Sequence, residues 1–114
     1  MVTDLGITNV EKLLAGDAAG KKFAKIVVGT DDTPVTGTET DLTASVEKDI
    51  VTVNYLTGGF VQFNANLDAG DPAMVIKEMG IKDDAGNLCY RKVIAPVNKV
   101  SGVTYAISYK IKVQ

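Results

Sequence analysis

The amino-acid sequence predicts a mainly β domain: an antiparallel β-sandwich of about six strands with one short N-terminal helix. Three observations predict it. The closing segment alternates apolar and polar residues from Val103 to Val113. Clusters of Gly, Asp, Asn and Pro, the residues that turns select, recur at short spacing along the rest of the chain. A clear helical spacing of apolar residues stands at the start. A partly open barrel fits the same pattern. With 114 residues, 46% of them apolar, the chain suits one domain over 1–114 with a real core.

The helix comes first. Thr8 and Glu11 have capping-box spacing, and Val10, Leu13 and Leu14 make one apolar face. Gly16 and Gly20 end it. So short a helix is marginal alone and must dock on something.

The period then changes to two. Phe23 to Val28 is a β run, followed by a turn-rich Gly29-Thr30-Asp31-Asp32-Thr33-Pro34. Val35 to Thr40 reads as a loop or weak edge, and Asp41 to Glu47 as a strand or a loop leading into the next one. The whole Thr/Gly/Asp-rich stretch 29–45 is expected to be the most mobile part. Ile50 to Tyr55 suits a strand with two partly covered faces, and Gly58-Gly59 a turn or bulge. Val61, Phe63, Ala65 and Leu67 form a dry face against a wet Gln62, Asn64, Asn66 and Asp68.

Residues 71–81 support two readings. Asp71-Pro72 and Gly80 resemble a helix start and stop, whereas Val75-Ile76 favours a strand. Asp83 to Asn87 is a hairpin turn with Gly86 placed for positive φ. Leu88 to Ala95 returns as a strand that Pro96 stops. The last strand presents Val103, Tyr105, Ile107, Tyr109, Ile111 and Val113 on one face. A register slip of one residue would put all of them in water.

The composition excludes several functions. The net charge is −2 and Arg91 is the single arginine, so the dense positive charge that phosphates demand is missing. No nucleic-acid partner is expected. The Lys21, Lys22 and Lys25 cluster reads as a solvated face. No apolar run approaches the ~20 residues of a membrane span, and the N-terminus has neither the basic nor the apolar region of a secretory signal. No membrane role follows.

Catalysis finds few candidates. There is no histidine, which removes the usual general base and the commonest metal ligand. Cys89 stands alone between Leu88 and Tyr90 and reads as a buried structural thiol. Asp31-Asp32 and Asp83-Asp84 could attract calcium, but neither has EF-hand spacing, and solvated turn formers are the simpler reading. Gly16 to Lys22 fails the P-loop pattern. Glu78 could serve a paired-carboxylate hydrolase only with a second acid opposite it. The simpler role is a structural glutamate that accepts hydrogen bonds from Arg91 or from backbone amides. Tyr105 and Tyr109 lie on the apolar stripe and are expected in the core. The expectation is no enzyme, no cofactor and no metal.

Three groups of residues carry a resemblance. The first is Ile7-Thr8-Asn9 with Leu13-Leu14-Ala15. The second is Ile26-Val27-Val28-Gly29-Thr30, a Thr/Pro loop, and Thr40-Asp41-Leu42. The third is Glu78-Met79-Gly80-Ile81-Lys82-Asp83, then Gly86-Asn87-Leu88, Arg91, Pro96, Lys99, Gly102 and the closing strand. In this order they resemble small structural domains of bacteriophage and prophage virions, particularly those near tail fibres, collars and baseplates. The resemblance implies that residues 74–82 are a strand. It implies a virion part assembled in the host cytoplasm, without activity of its own, in symmetric copies and beside other virion proteins. A capsid decoration or head-fibre protein is an alternative station. A carbohydrate- or surface-binding β-sandwich module is the alternative of a different kind, resting on fold class and tyrosines. Symmetric assembly needs an exposed apolar patch, for which the helix is the candidate element.

Overall fold

The computed structural model describes residues 2–112. The chain folds as α1 (Asp4–Leu14), β1 (Phe23–Gly29), β2 (Val46–Asp49), β3 (Thr52–Leu56), β4 (Phe60–Leu67), β5 (Met74–Asp83), β6 (Leu88–Lys99) and β7 (Tyr105–Lys112). Two antiparallel sheets result, one of order β2-β1-β5-β6 and one of order β3-β4-β7. This is the predicted sandwich with one short helix. The described residues form seven strands because the Asp41–Glu47 ambiguity resolves into a loop followed by β2.

The core lies between the sheets. Ile26 and Val28 of β1 and Ile76, Met79 and Ile81 of β5 meet Ala65 and Leu67 of β4 and Tyr109 of β7. The alternation of β7 places Tyr105, Ile107 and Ile111 inward and Ala106, Ser108, Lys110 and Lys112 in solvent. Register is held across the whole length of β4, from Phe60↔Lys112 to Leu67↔Tyr105. Val103 precedes the strand and is exposed, while Val113 lies outside the described residues. Tyr105 caps the core edge by donating its hydroxyl to the Asn98 carbonyl at 3.1 Å.

The four-stranded sheet is covered on its other face as well. Val27 and Leu88 pack there with Leu42 of the long loop. Buried on both sides, β5 shows no alternation, which explains why 71–81 gave no clean period. Residues 74–83 are a strand, as the resemblance implied.

The helix departs from expectation at its start. Its N-cap is Thr3, five residues before Thr8 of the predicted Thr8–Glu11 box. The Thr3 hydroxyl accepts from the Gly6 amide at 3.1 Å and donates to the Leu88 carbonyl, while the Thr3 amide donates to the Cys89 carbonyl at 2.8 Å. Thr8 lies inside the helix, where its hydroxyl donates back to the Asp4 carbonyl at 3.3 Å. Glu11 is an exposed helical residue whose carbonyl accepts from Ala15. The reason is tertiary: α1 is nailed to β6 through Thr3. A Cβ on Gly6 would sit 2.0 Å from the Cys89 carbonyl oxygen, so only glycine permits this approach.

The docking face of α1 is therefore Thr3, Gly6 and Asn9, not the apolar stripe. Buried Asn9 acts as a peptide mimic. Its amide donates to the Lys21 carbonyl and its oxygen accepts from the Lys21 amide, both at 2.7 Å. This bond pair returns the chain to β1.

Pro96 does not stop β6. The strand runs through it to Lys99. Between the pairs Ile76↔Val97 and Glu78↔Val93 the register shifts, so Pro96 sits in a bulge of an edge strand, where a missing N–H costs little. The hairpin turn stands as predicted, with Gly86 at φ 86°. Asp83 is buried and not solvated: it accepts from the Ala85 amide at 3.0 Å and the Asn87 amide at 2.9 Å. Lys21 and Lys22 are solvent-exposed, and Lys25 pairs with Asp49 at 3.2 Å.

Candidate functional site

Two features stand out once the chain is folded: a buried ion cluster and a bare apolar surface. The cluster lies on the outer face of the four-stranded sheet. Pairing of Gly80 with Arg91, and of Glu78 with Val93, makes Glu78 and Arg91 diagonal neighbours on that face. Their side chains are 1% and 3% exposed, and Arg91 Nε donates to Glu78 Oε1 at 2.8 Å. Gly80 beneath them is fully packed, because a Cβ there would meet the Tyr90 carbonyl oxygen at 2.7 Å.

The second oxygen of Glu78 accepts from two loop amides, Asp31 at 2.9 Å and Thr43 at 3.0 Å. Arg91 reaches the same loop through the Thr33 carbonyl at 3.0 Å and Glu39 at 3.2 Å. Gly29 opens the path: any Cβ there would come within 2.5 Å of Glu78 Oε2. The stretch expected to be most mobile is thus tied to the sheet at both ends and in the middle.

Electrostatics follow this geometry. Burial alone would raise the Glu39 carboxyl, but amide bonds from Thr36, Gly37 and its own backbone, with the Thr36 hydroxyl, outweigh it and hold it at about 2. The Asp31 carboxyl is lowered by the Thr33 hydroxyl and amide, with smaller help from Arg91. Burial, then the Asp83 charge, pushes the Cys89 thiol up to about 12, so at neutral pH it is protonated and donates to Asp83. Glu78 has both predicted partners, the arginine and the amides. Asp31, Glu39 and Asp41 share a small cleft of about 120 Å³ with Glu78 and Arg91, and Arg91 bridges Glu78 to Asp31 and Glu39. Among the described residues no group of three or more His, Cys, Asp or Glu could hold a metal ion.

The second feature involves the helix, the element named as the candidate for an exposed apolar patch, and a hairpin that was not named for it. The predicted apolar face of α1 remains open: Leu13 is exposed and Leu14 is 81% exposed. With Val10 these side chains form one wall of a cleft of about 540 Å³, whose other walls include Phe23, Tyr90, Val61, Phe63 and Ile111. Beside it β3 overhangs the sandwich. Every residue from Thr52 to Leu56 is exposed, though Val53 at 40% and Leu56 at 37% keep the partial cover expected of this strand. Val53 and Tyr55 pair with Phe63 and Val61, two residues of the cleft wall, and Tyr55 is 85% exposed. One sequence signal marks this hairpin. From Ile50 to Leu67 no residue is charged, in a chain that is 23% charged.

The remaining predicted residues serve the core. Tyr109 is buried against the Tyr90 ring with centroids 6.4 Å apart, and Ile107 packs opposite Ala65.

No family model, no curated protein and no solved structure matches this chain.

Proposed function

We propose that this chain is a non-catalytic assembly subunit that works as a homo-oligomer among other virion proteins of a bacteriophage or prophage. The station suggested by the resemblance is the tail, fibre or baseplate. The observation that carries the assembly role is the set of exposed apolar side chains, Leu13 and Leu14 at the cleft and Val53 and Tyr55 on the strand beside it. Exposed apolar surface of this extent on a small domain marks an interaction site. The ion cluster supports the same reading from the other side. Its carboxylates are spent on loop amides and on Arg91, which builds a rigid face.

Light scattering across a concentration series tests the proposal. A discrete oligomer is expected. A mass of 12.0 kDa, that of one chain, at every concentration would refute self-assembly. Tyr55 also favours a second reading, because so exposed an aromatic ring can stack on a sugar. A glycan panel answered by the native chain and not by Tyr55→Ala would move the binding-module reading to first place.

A further inference from the structure

We infer that β3 is a self-pairing edge: two copies of this chain join through it, antiparallel about a two-fold axis, into one six-stranded sheet. The inference deepens the proposed assembly role and rests on it.

The two sheets present four edge strands, and three of them carry guards against pairing. β2 holds Glu47, Lys48 and Asp49. β6 holds Lys92, the Pro96 bulge and Lys99. β7 ends in Lys110 and Lys112. Charges, proline and bulges are the usual means by which an edge refuses another strand. β3, Thr-Val-Asn-Tyr-Leu, has none of them. Among the described residues its one strand partner is β4, which leaves its outer edge unpaired.

The sequence of β3 is also complementary to itself. In the antiparallel register centred on Asn54, Val53 of one copy faces Tyr55 of the other, twice, on the face they share with Phe63 and Val61. Thr52 faces Leu56, twice, on the opposite face, and Asn54 faces Asn54. A β-branched residue opposite an aromatic is among the favourable cross-strand pairs, and no like charges meet. The pairing also closes. It consumes the unguarded edge and leaves a sheet of order β7-β4-β3-β3-β4-β7, whose two ends are the lysine-bearing β7 strands. A closed two-fold contact of this kind stops at two copies, where an open one would grow into a fibre. A second copy is thus the occupant that fits: it brings the same uncharged strand and the same bare Val53 and Tyr55.

The test uses a single introduced cysteine, since the native Cys89 is fully buried. In the proposed register two Asn54→Cys residues face each other across the axis. Opposed Cα atoms in an antiparallel pair lie about 4.5–5.5 Å apart, within disulfide range. Under mild oxidation Asn54→Cys is expected to run as a dimer on a denaturing gel, while exposed Ser101→Cys does so at least tenfold more slowly. Tyr55→Lys, at a position with no core role, is expected to lower the solution mass towards half at fixed concentration while leaving the circular dichroism and melting of the monomer intact. Equal cross-linking of the two cysteine variants would mean random collision and would overturn the inference. A discrete oligomer that neither cross-links through Asn54→Cys nor responds to Tyr55→Lys would overturn the β3 contact and leave the assembly role standing. A single-chain mass for the native protein at all concentrations would overturn both.

Discussion

Replacing Glu78 by glutamine isolates what the ion cluster does. The change keeps the shape and removes one charge. Three donors converge on this carboxylate: Arg91 Nε at 2.8 Å, the Asp31 amide at 2.9 Å and the Thr43 amide at 3.0 Å. A glutamine has one acceptor oxygen. Its NH2 must then point either at the Arg91 guanidinium or at the two loop amides, donor against donor. The pair is almost fully buried, so little water is at hand to relieve the mismatch. Removing one partner of such a pair costs about 3–5 kcal/mol. Against a total stability of about 5–15 kcal/mol this is a large fraction. For a domain of this size it lowers the melting temperature by about 10–20 °C.

Urea titration of Glu78→Gln measures the loss. Limited proteolysis asks where it acts, because the loop 30–45 hangs on this oxygen and should become cleavable before the sheet does. The double variant Glu78→Leu with Arg91→Met sharpens the argument. Apolar pairs often replace buried ion pairs without loss. Here the Asp31 and Thr43 amides would still lack an acceptor, so the double variant should remain at least about 2 kcal/mol below the native protein. A loss under about 1 kcal/mol for Glu78→Gln, with the loop still protected, would refute the clamp. Loss of turnover on some substrate at unchanged stability would make Glu78 a catalytic group instead.

The other predictions follow from the same structure. Ile107→Asp puts a charge on the inward face of β7 and should cost about 3 kcal/mol or more in urea titration; near-native stability would mean the face is misassigned. Gly6→Ala should destabilise, although alanine favours a helix by up to about 1 kcal/mol, because its Cβ would collide with the Cys89 carbonyl; a stabilised variant would show that α1 does not dock there. Folding depresses the Glu39 carboxyl from 4.5 to about 2, so its contribution is complete above pH 4.5 and drains as pH falls from 4.5 towards 2. Urea midpoints from pH 7 to 2 should therefore hold flat and then fall through that window, with the lowered Asp31 adding in the same direction. A midpoint unchanged down to pH 2.5 would contradict the assignment.

What was legible in the sequence was whatever depends on one strand and its solvent. β7 alternates because one of its faces meets the core and the other meets water, and Tyr105, Ile107 and Tyr109 sit where that period puts them. The turn at Gly86 was legible because positive φ leaves few residue choices. The N-terminus of α1 was not. Thr8 and Glu11 carry a capping box in form, yet Thr3 caps the helix because it also bonds to Leu88, 85 positions away. No local pattern encodes that distance. Pro96 misled for a similar reason: whether a proline ends a strand depends on whether a neighbour needs its N–H, and β6 is an edge.

Two apolar patterns are the more instructive. Val10, Leu13 and Leu14 at helical spacing predicted a face that must dock on something, and Ile50 to Tyr55 a strand with two partly covered faces. Leu13, Leu14, Val51, Val53 and Tyr55 are exposed in the single chain. Periodicity reports that a face is kept apolar; it does not say whose atoms cover it. Other edges of this protein show that charge is readily placed on exposed strands, with Glu47, Lys48 and Asp49 on four-residue β2. The uncharged run from Ile50 to Leu67 is therefore not a general poverty of charge but a local property of one hairpin. A face kept apolar on a strand that the described residues leave largely exposed, beside a helix whose leucines line a cleft, is what a surface completed by another molecule looks like from within one copy.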